Sequence, residues 1–210
     1  MPPERATGAP GAPGAGLRLT RPLCLASASP RRKALLEQFG LRFAVQGSPV
    51  DESPRPGEAA EALAVRLARE KAGTALARFP DHLILAGDTV VELDGRLLGK
   101  PESPQDAARM VAALSGRTHR VVSGYCLLDG PTGGAVARAV ETRVTFRALP
   151  QAWVRWYSHL PESLDKAGAY GIQGIGGAMV SRIEGSFANV VGLPVEAVIW
   201  DMLEQGWLEW

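Results

Sequence analysis

A dominant charge of either sign is missing from this sequence: 23 Lys and Arg face 22 Asp and Glu, for a net charge of +1. That balance excludes a global field suited to nucleic acid or an anionic membrane, so any anion site has to be local. No apolar run is long enough to span a bilayer. The first residues also lack the charged-then-apolar order of a signal peptide. Cysteine is scarce. Cys24 and Cys126 each sit in an apolar, strand-like run, where a buried thiol is expected rather than a disulfide or a metal pair. No internal repeat is visible, and these absences together predict a soluble cytoplasmic protein with no nucleic-acid or membrane partner.

What is present is a hydrophobic share of 46% over 210 residues, enough for one domain with a sizeable core in one or two lobes. Residues 1–20, with GAPGAPGAG inside, carry Gly, Pro and Ala without periodicity and read as a disordered tail. A single domain over 21–210 follows. Its punctuation predicts a strand at Leu23–Ala26, a helix at Pro30–Phe39 stopped by Gly40, and a long helix from Glu58 to Phe79. A strand from Leu83 to Leu93 turns at Asp94-Gly95 and returns through Arg96–Lys100. Ser103-Pro104 starts a helix that ends at Gly116, and strands at Val121–Leu128 and Val136–Arg147 follow. A helix near Gln151–His159, a glycine-rich stretch at 168–177, a strand near Met179–Ile183 and a helix from Pro194 complete the chain. Alternating strands and helices with two antiparallel hairpins predict an α/β fold with a mixed sheet.

The start of the first helix breaks a local rule. Ser29 is a good N-cap and Pro30 a good first residue, yet Arg31, Arg32 and Lys33 follow. A helix N-terminus already carries partial positive charge, so each cation there costs about 0.3–1 kcal/mol. An anion in front of the helix would reverse that balance, because each charge-assisted hydrogen bond is worth about 1.5–3 kcal/mol. Main-chain N–H groups, the Ser27 and Ser29 hydroxyls and two guanidinium forks would then converge on phosphate oxygens.

The chain writes its positive charge mainly as arginine; its lysines are Lys33, Lys71, Lys100 and Lys166. Lys71 falls on the apolar face of the long helix, in line with Leu63 and Leu67 and among alanines. There it either snorkels to water or meets a buried anion. In a two-residue Asp-Gly hairpin Leu93 opposes Arg96, which puts Lys100 opposite Thr89 and one residue from Asp88. Asp88 would then sit at the end of an apolar run with a lysine nearby, and a bulge at Gly99 would bring the two to one face. Asp51-Glu52 is a second acidic pair. The glycines of AGAYGIQGIGG permit close backbone approach to a ligand but do not form a dinucleotide fingerprint. Among them, the Gln173 amide offers one donor and one acceptor side, matching the imide edge of uracil or thymine.

The stretches LASASPRRKALLEQFG, VDES, VRLAREKA, GDTVVELDGRLLGKP, LSGRTHRV, LDKAGAYGIQG and IEGSFANVVGLP, in this order, closely resemble the Maf family of nucleoside triphosphate pyrophosphatases. The resemblance covers residues 23 to about 195. It implies hydrolysis of a nucleoside triphosphate to the monophosphate and pyrophosphate, with Mg²⁺ or Mn²⁺ as divalent metal cation. It also implies a two-lobed fold with a central cleft, related to inosine-triphosphate pyrophosphatases, and a homodimer. Arg31, Thr89 and Gln173 match the positions that mark the dTTP/UTP branch, as against the branch acting on 7-methyl-GTP. By the same resemblance Asp88 is the proton acceptor; Ser27, Arg31, Arg32, Lys71 and Lys100 hold phosphates; and Glu52 stands with Asp88 at the metal. Ala86-Gly87 replaces the family's usual Gly-Ala. A purine substrate and a nucleotide-sensing regulator of septum formation are the competing readings.

Overall fold

The computed structural model describes residues 16–210, so positions 1–15 of the expected tail lie outside the described residues. In chain order the first elements are β1 (Arg18–Leu19), β2 (Leu23–Leu25), α1 (Pro30–Glu37), β3 (Phe43–Val45), α2 (Ala60–Leu76) and β4 (Leu83–Leu93). Next come β5 (Arg96–Leu98), α3 (Pro104–Leu114), β6 (Thr118–Asp129), β7 (Ala135–Phe146), α4 (Gln151–Tyr157) and α5 (Pro161–Leu164). After two 3₁₀ turns at Ala167–Ala169 and Ile175–Met179, β8 (Val180–Glu184), α6 (Phe187–Val191), α7 (Val195–Glu204) and β9 (Leu208–Glu209) end the chain.

Seven strands form one mixed sheet in the order β3-β2-β4-β6-β7-β8, with β5 paired to β4. β2 runs parallel to β3 and β4, and the remaining pairs are antiparallel. The mixed α/β sheet expected from the alternation of elements is therefore the architecture found. β1 and β9 make a separate two-stranded sheet, so the ordered chain already includes Arg18 and Leu19. Pairs of two residues carry no readable pattern.

Strand alternation divides the packing. Ile84 and Ala86 of β4, with Cys24 and Cys126, meet the alanine stripe Ala68, Ala72 and Ala75 of α2. Both thiols are free and buried, as expected. Leu83 and Leu85 face the opposite way, into a core closed by Leu35 and Leu36 of α1 and Val198 and Met202 of α7. Further along the same face, Val91 and Leu93 enter a second core with Val111 and Leu114 of α3 and Val154 of α4. β4 and β6 thus run through both cores, and the cleft opens between them.

Two local features fix the geometry around that cleft. The Asp94-Gly95 turn has both residues at positive φ, 50° and 75°, the conformation a two-residue hairpin turn requires. At Gly124 a Cβ would lie 2.2 Å from the Ala64 carbonyl carbon, so only glycine lets α2 rest directly on the sheet. Gly124 is the cross-strand partner of Asp88, so this contact sets how near α2 comes to that carboxylate.

An imidazole packs against the second core. His119 Nε2 lies 2.8 Å from the Tyr170 hydroxyl, and Phe146 packs edge-on against both rings. Its Nδ1 is buried without a partner among the described residues. Burial pushes the imidazole from 6.5 down to about 4. The unfolded chain therefore takes up a proton that the native state refuses, so the stabilisation is complete above about pH 6.5 and is lost as pH falls towards 4. Between pH 7.5 and 5.0 the expected loss is about 2 kcal/mol. Urea denaturation of the wild type and of His119→Leu at both values checks it, and equal pH dependence in the two proteins would refute it.

Candidate active site

The cleft follows from where two neighbours of β4 stop. β2 leaves the ladder after Leu25 pairs with Leu85, its last link being the Ala26 N–H to the Leu85 carbonyl at 2.7 Å. On the same side β5 joins only at Val91, opposite Leu98. Between these points β4 is paired on one side alone, through β6. By strand alternation Gly87 and Thr89 turn main-chain groups to the open side. The result is a cleft of about 1330 Å³ lined by, among others, Ser27, Arg31, Arg32, Asp88, Lys100 and Gln173.

Asp88 and Thr89 stand on opposite faces of β4. Asp88 shares the face of α2, and Lys71 meets it: Lys71 Nζ is 2.6 Å from Asp88 Oδ1 and 2.5 Å from Glu52 Oε1. Lys71 and Asp88 are buried, whereas Glu52 is half exposed. Burial acts to raise the Glu52 carboxyl, but the Lys71 hydrogen bond and the charges of Lys71, Lys100 and Arg32 outweigh it and hold the group below its ordinary value. The lysine beside Asp88 is thus Lys71, not Lys100. The bulge at Gly99 that would bring Asp88 and Lys100 to one face does not form; the ladder ends at Leu98 and the Gly99 carbonyl accepts from the Gly168 N–H at 3.1 Å. Lys100 is exposed on the cleft wall.

On the other face Arg32 is held by neutral oxygens. Its Nε donates to the Gly192 carbonyl at 2.8 Å, NH1 to Ser27 Oγ at 3.1 Å and NH2 to Thr89 Oγ1 at 3.3 Å. Among the described residues no side-chain bond of Arg32 reaches a carboxylate. Burial lowers its pKa, the charges of Asp88 and Glu52 raise it, and Arg31 lowers it; the net shift is downward. Ser29 caps α1 as expected, accepting from the Arg32 N–H at 3.4 Å. Arg31 approaches Asp165 at 3.6 Å across the cleft mouth. Lys33 does not join them: it pairs with Glu37 one turn along, half exposed and away from the cleft.

The glycine-rich segment is tied to an internal carboxylate, Glu162. Glu162 Oε1 accepts from the Gly176 N–H at 2.8 Å and the Tyr157 hydroxyl at 2.7 Å, and its Oε2 from the Ile175 N–H at 3.1 Å. A Cβ at Gly174 would lie 1.9 Å from Glu162 Oε2. Gly174 makes room for this internal carboxylate, Gly171 and Gly174 also line the cleft, and the anchored turn leaves Gln173 exposed on its wall.

The structure thus gathers Ser27, Arg31, Arg32, Glu52, Lys71, Asp88, Thr89, Lys100 and Gln173 around one cleft. Sequence reasoning missed Gly192, Ser123 and Glu162. Gly192 could have been noticed as the glycine ending α6, since its φ of 134° suits few other residues. Glu162 gave no local signal.

A sequence model of the family described as Maf-like protein matches residues 22–205. A Myxococcus xanthus protein named dTTP/UTP pyrophosphatase is 52% identical over 173 residues, 82% of this chain and 87% of that one. An Anaeromyxobacter protein of the same name is 49% identical over 176 residues, 82% and 84% of the two chains. A Shewanella denitrificans protein, also so named, is 48% identical over 192 residues, 86% and 96% of the two. With its family stretches lining one cleft in a mixed α/β sheet, the chain belongs to the Maf-like protein family.

Proposed function

We propose that this protein is a nucleoside triphosphate pyrophosphatase that hydrolyses dTTP and UTP to the monophosphate and pyrophosphate. The observation that carries the reading is Arg32. A part-buried guanidinium bonded only to neutral oxygens is favoured when an anion completes it, and the cleft supplies the place. The names of the relatives supply the substrate class.

Two carboxylates, Glu52 and Asp88, converge on one point, where Lys71 Nζ now sits. That donor set fits a hard divalent cation, which takes one or two carboxylates and completes its shell with substrate phosphates and water. Bound there, Mg²⁺ or Mn²⁺ would neutralise charge on the triphosphate. Asp88 orients a water and takes its proton as the water oxygen bonds to the α-phosphorus. The bridging P–O bond breaks and pyrophosphate leaves, its charge met by Ser27, Arg31, Arg32, Lys71 and Lys100. Gln173 reads the imide edge of the base, and Thr89, whose position marks the family branch, stands against the Arg32 phosphate grip. A homodimer, implied by the family resemblance, and a cytoplasmic setting, expected from the composition, go with this reading. No helix among the described residues is long and apolar enough to cross a membrane.

The test is pyrophosphate release from a panel of nucleoside triphosphates with Mg²⁺ or Mn²⁺. Preference for dTTP and UTP is the expected result. Preference for purines would overturn the role of Gln173, and no release from any nucleotide would favour a regulator.

A further inference from the structure

Behind Arg32 lies a chain of two hydroxyls, Thr89 and Ser123, that ends on main-chain carbonyls. Arginine only donates, so the 3.3 Å contact from NH2 to Thr89 Oγ1 has one sense. At the other end Ser123, fully buried on β6 directly across from Thr89, lies 3.2 Å from the Asn189 carbonyl, which only accepts. The 2.8 Å contact between the hydroxyls runs from Thr89 when Ser123 donates to Asn189, and from Ser123 when Thr89 donates to the Gly192 carbonyl at 3.1 Å. In both arrangements the Thr89 proton is spent inside the protein and its oxygen accepts from Arg32.

The anchor of the chain is rigid. The Asn189 N–H is bonded to Ser186 Oγ, which caps α6, and its side-chain Nδ2 donates to the Val121 carbonyl at 3.0 Å and Thr142 Oγ1 at 2.9 Å. The chain has two consequences. Three of the five N–H groups of Arg32 are taken, which fixes its plane and leaves two for a ligand. The Thr89 proton is spent inward, so its hydroxyl has no hydrogen to offer a base carbonyl.

We infer that Ser123 is a positioning residue that aims the Arg32 fork through Thr89, and that position 89 acts on substrates through this phosphate grip and not by touching the base. The inference rests on the nucleotide reading above and deepens it.

Inorganic tripolyphosphate, which carries no base, separates the possibilities. Its affinity is measured by calorimetry in Mg²⁺ buffer on the full chain, beside kcat/KM for dTTP, UTP, dCTP and GTP. Ser123→Ala and Thr89→Val are each expected to weaken tripolyphosphate about five- to tenfold, the effect of one hydrogen bond beside a charge. Thr89→Ser restores it, and the ranking of bases is unchanged. In an Arg32→Ala background neither substitution has a further effect. Unchanged tripolyphosphate affinity in Thr89→Val with an altered base ranking would overturn the inference, as would equal losses with and without Arg32. If Ser123→Ala does not fold, Thr89→Val alone decides. The nucleotide reading fails separately, when wild-type protein binds tripolyphosphate yet releases no pyrophosphate from any nucleotide.

Discussion

Asp88→Asn is expected to lower kcat for pyrophosphate release by about 10²–10⁴-fold, the usual contribution of a positioned general base. The substitution keeps the side chain's size and a hydrogen-bonding oxygen for Lys71, so folding and ligand binding should survive. Asp88 belongs to the part of β4 that has lost β2 and not yet gained β5, where a water can reach a strand residue from the open side. Saturating dTTP and UTP measure the effect on turnover, and tripolyphosphate calorimetry measures retention of the site. Near-native kcat in the Asn protein would remove Asp88 from the proton-transfer role. Loss of tripolyphosphate binding together with kcat would make it a binding residue.

Lys71→Met is expected to destabilise the fold by about 3–5 kcal/mol, the cost of removing one partner from a buried ion pair. Its ammonium sits 2.6 Å from an Asp88 side chain that is 12% exposed, and methionine leaves that carboxylate without its hydrogen-bonded cation. Glu52, at 53% exposure, is solvated without the lysine and adds little. The double variant Lys71→Met/Asp88→Asn is expected to recover most of the loss, because a neutral amide is far cheaper to bury than a charge. Urea midpoints in chelator-containing buffer test both statements. A single variant as stable as wild type would show that Asp88 does not depend on Lys71, and a double variant no better than the single would put the loss down to packing.

The parts of this site that could be read from the chain are those with a local pattern. Asp94-Gly95 between two apolar runs announced the hairpin, and Lys71 stood out as a cation on an alanine-rich helix face. The run of cations after Ser29 marked α1 as a site for an anion. What the local pattern left open was pairing. The hairpin register offers Lys100 as the neighbour of Asp88, but the ladder ends at Leu98, where Gly168 claims the Gly99 carbonyl, and Lys71 takes that place. Lys33 could not be separated from Arg31 and Arg32 without knowing which way α1 rolls against the sheet. The Gly192 carbonyl and Arg32 are 160 positions apart, and the glycines around Glu162 look identical to glycines around a phosphate until the carboxylate is in place. Short strands such as β3 and β9 carry too few residues for alternation to show.

The cleft is cut into strands that do not break. β4 and β6 stay paired residue for residue from Leu83–Asp129 to Glu92–Arg120, past Asp88 and from one core into the other. Swinging the lobes apart would cost several ladder bonds at once, so the cradle is stiff and stands open without waiting for a hinge. Association with an anionic ligand then depends on diffusion and on the local field of Arg31, Arg32 and Lys100, which makes it sensitive to ionic strength. On the proposed function, a frame of this kind leaves discrimination between bases to side chains already in place.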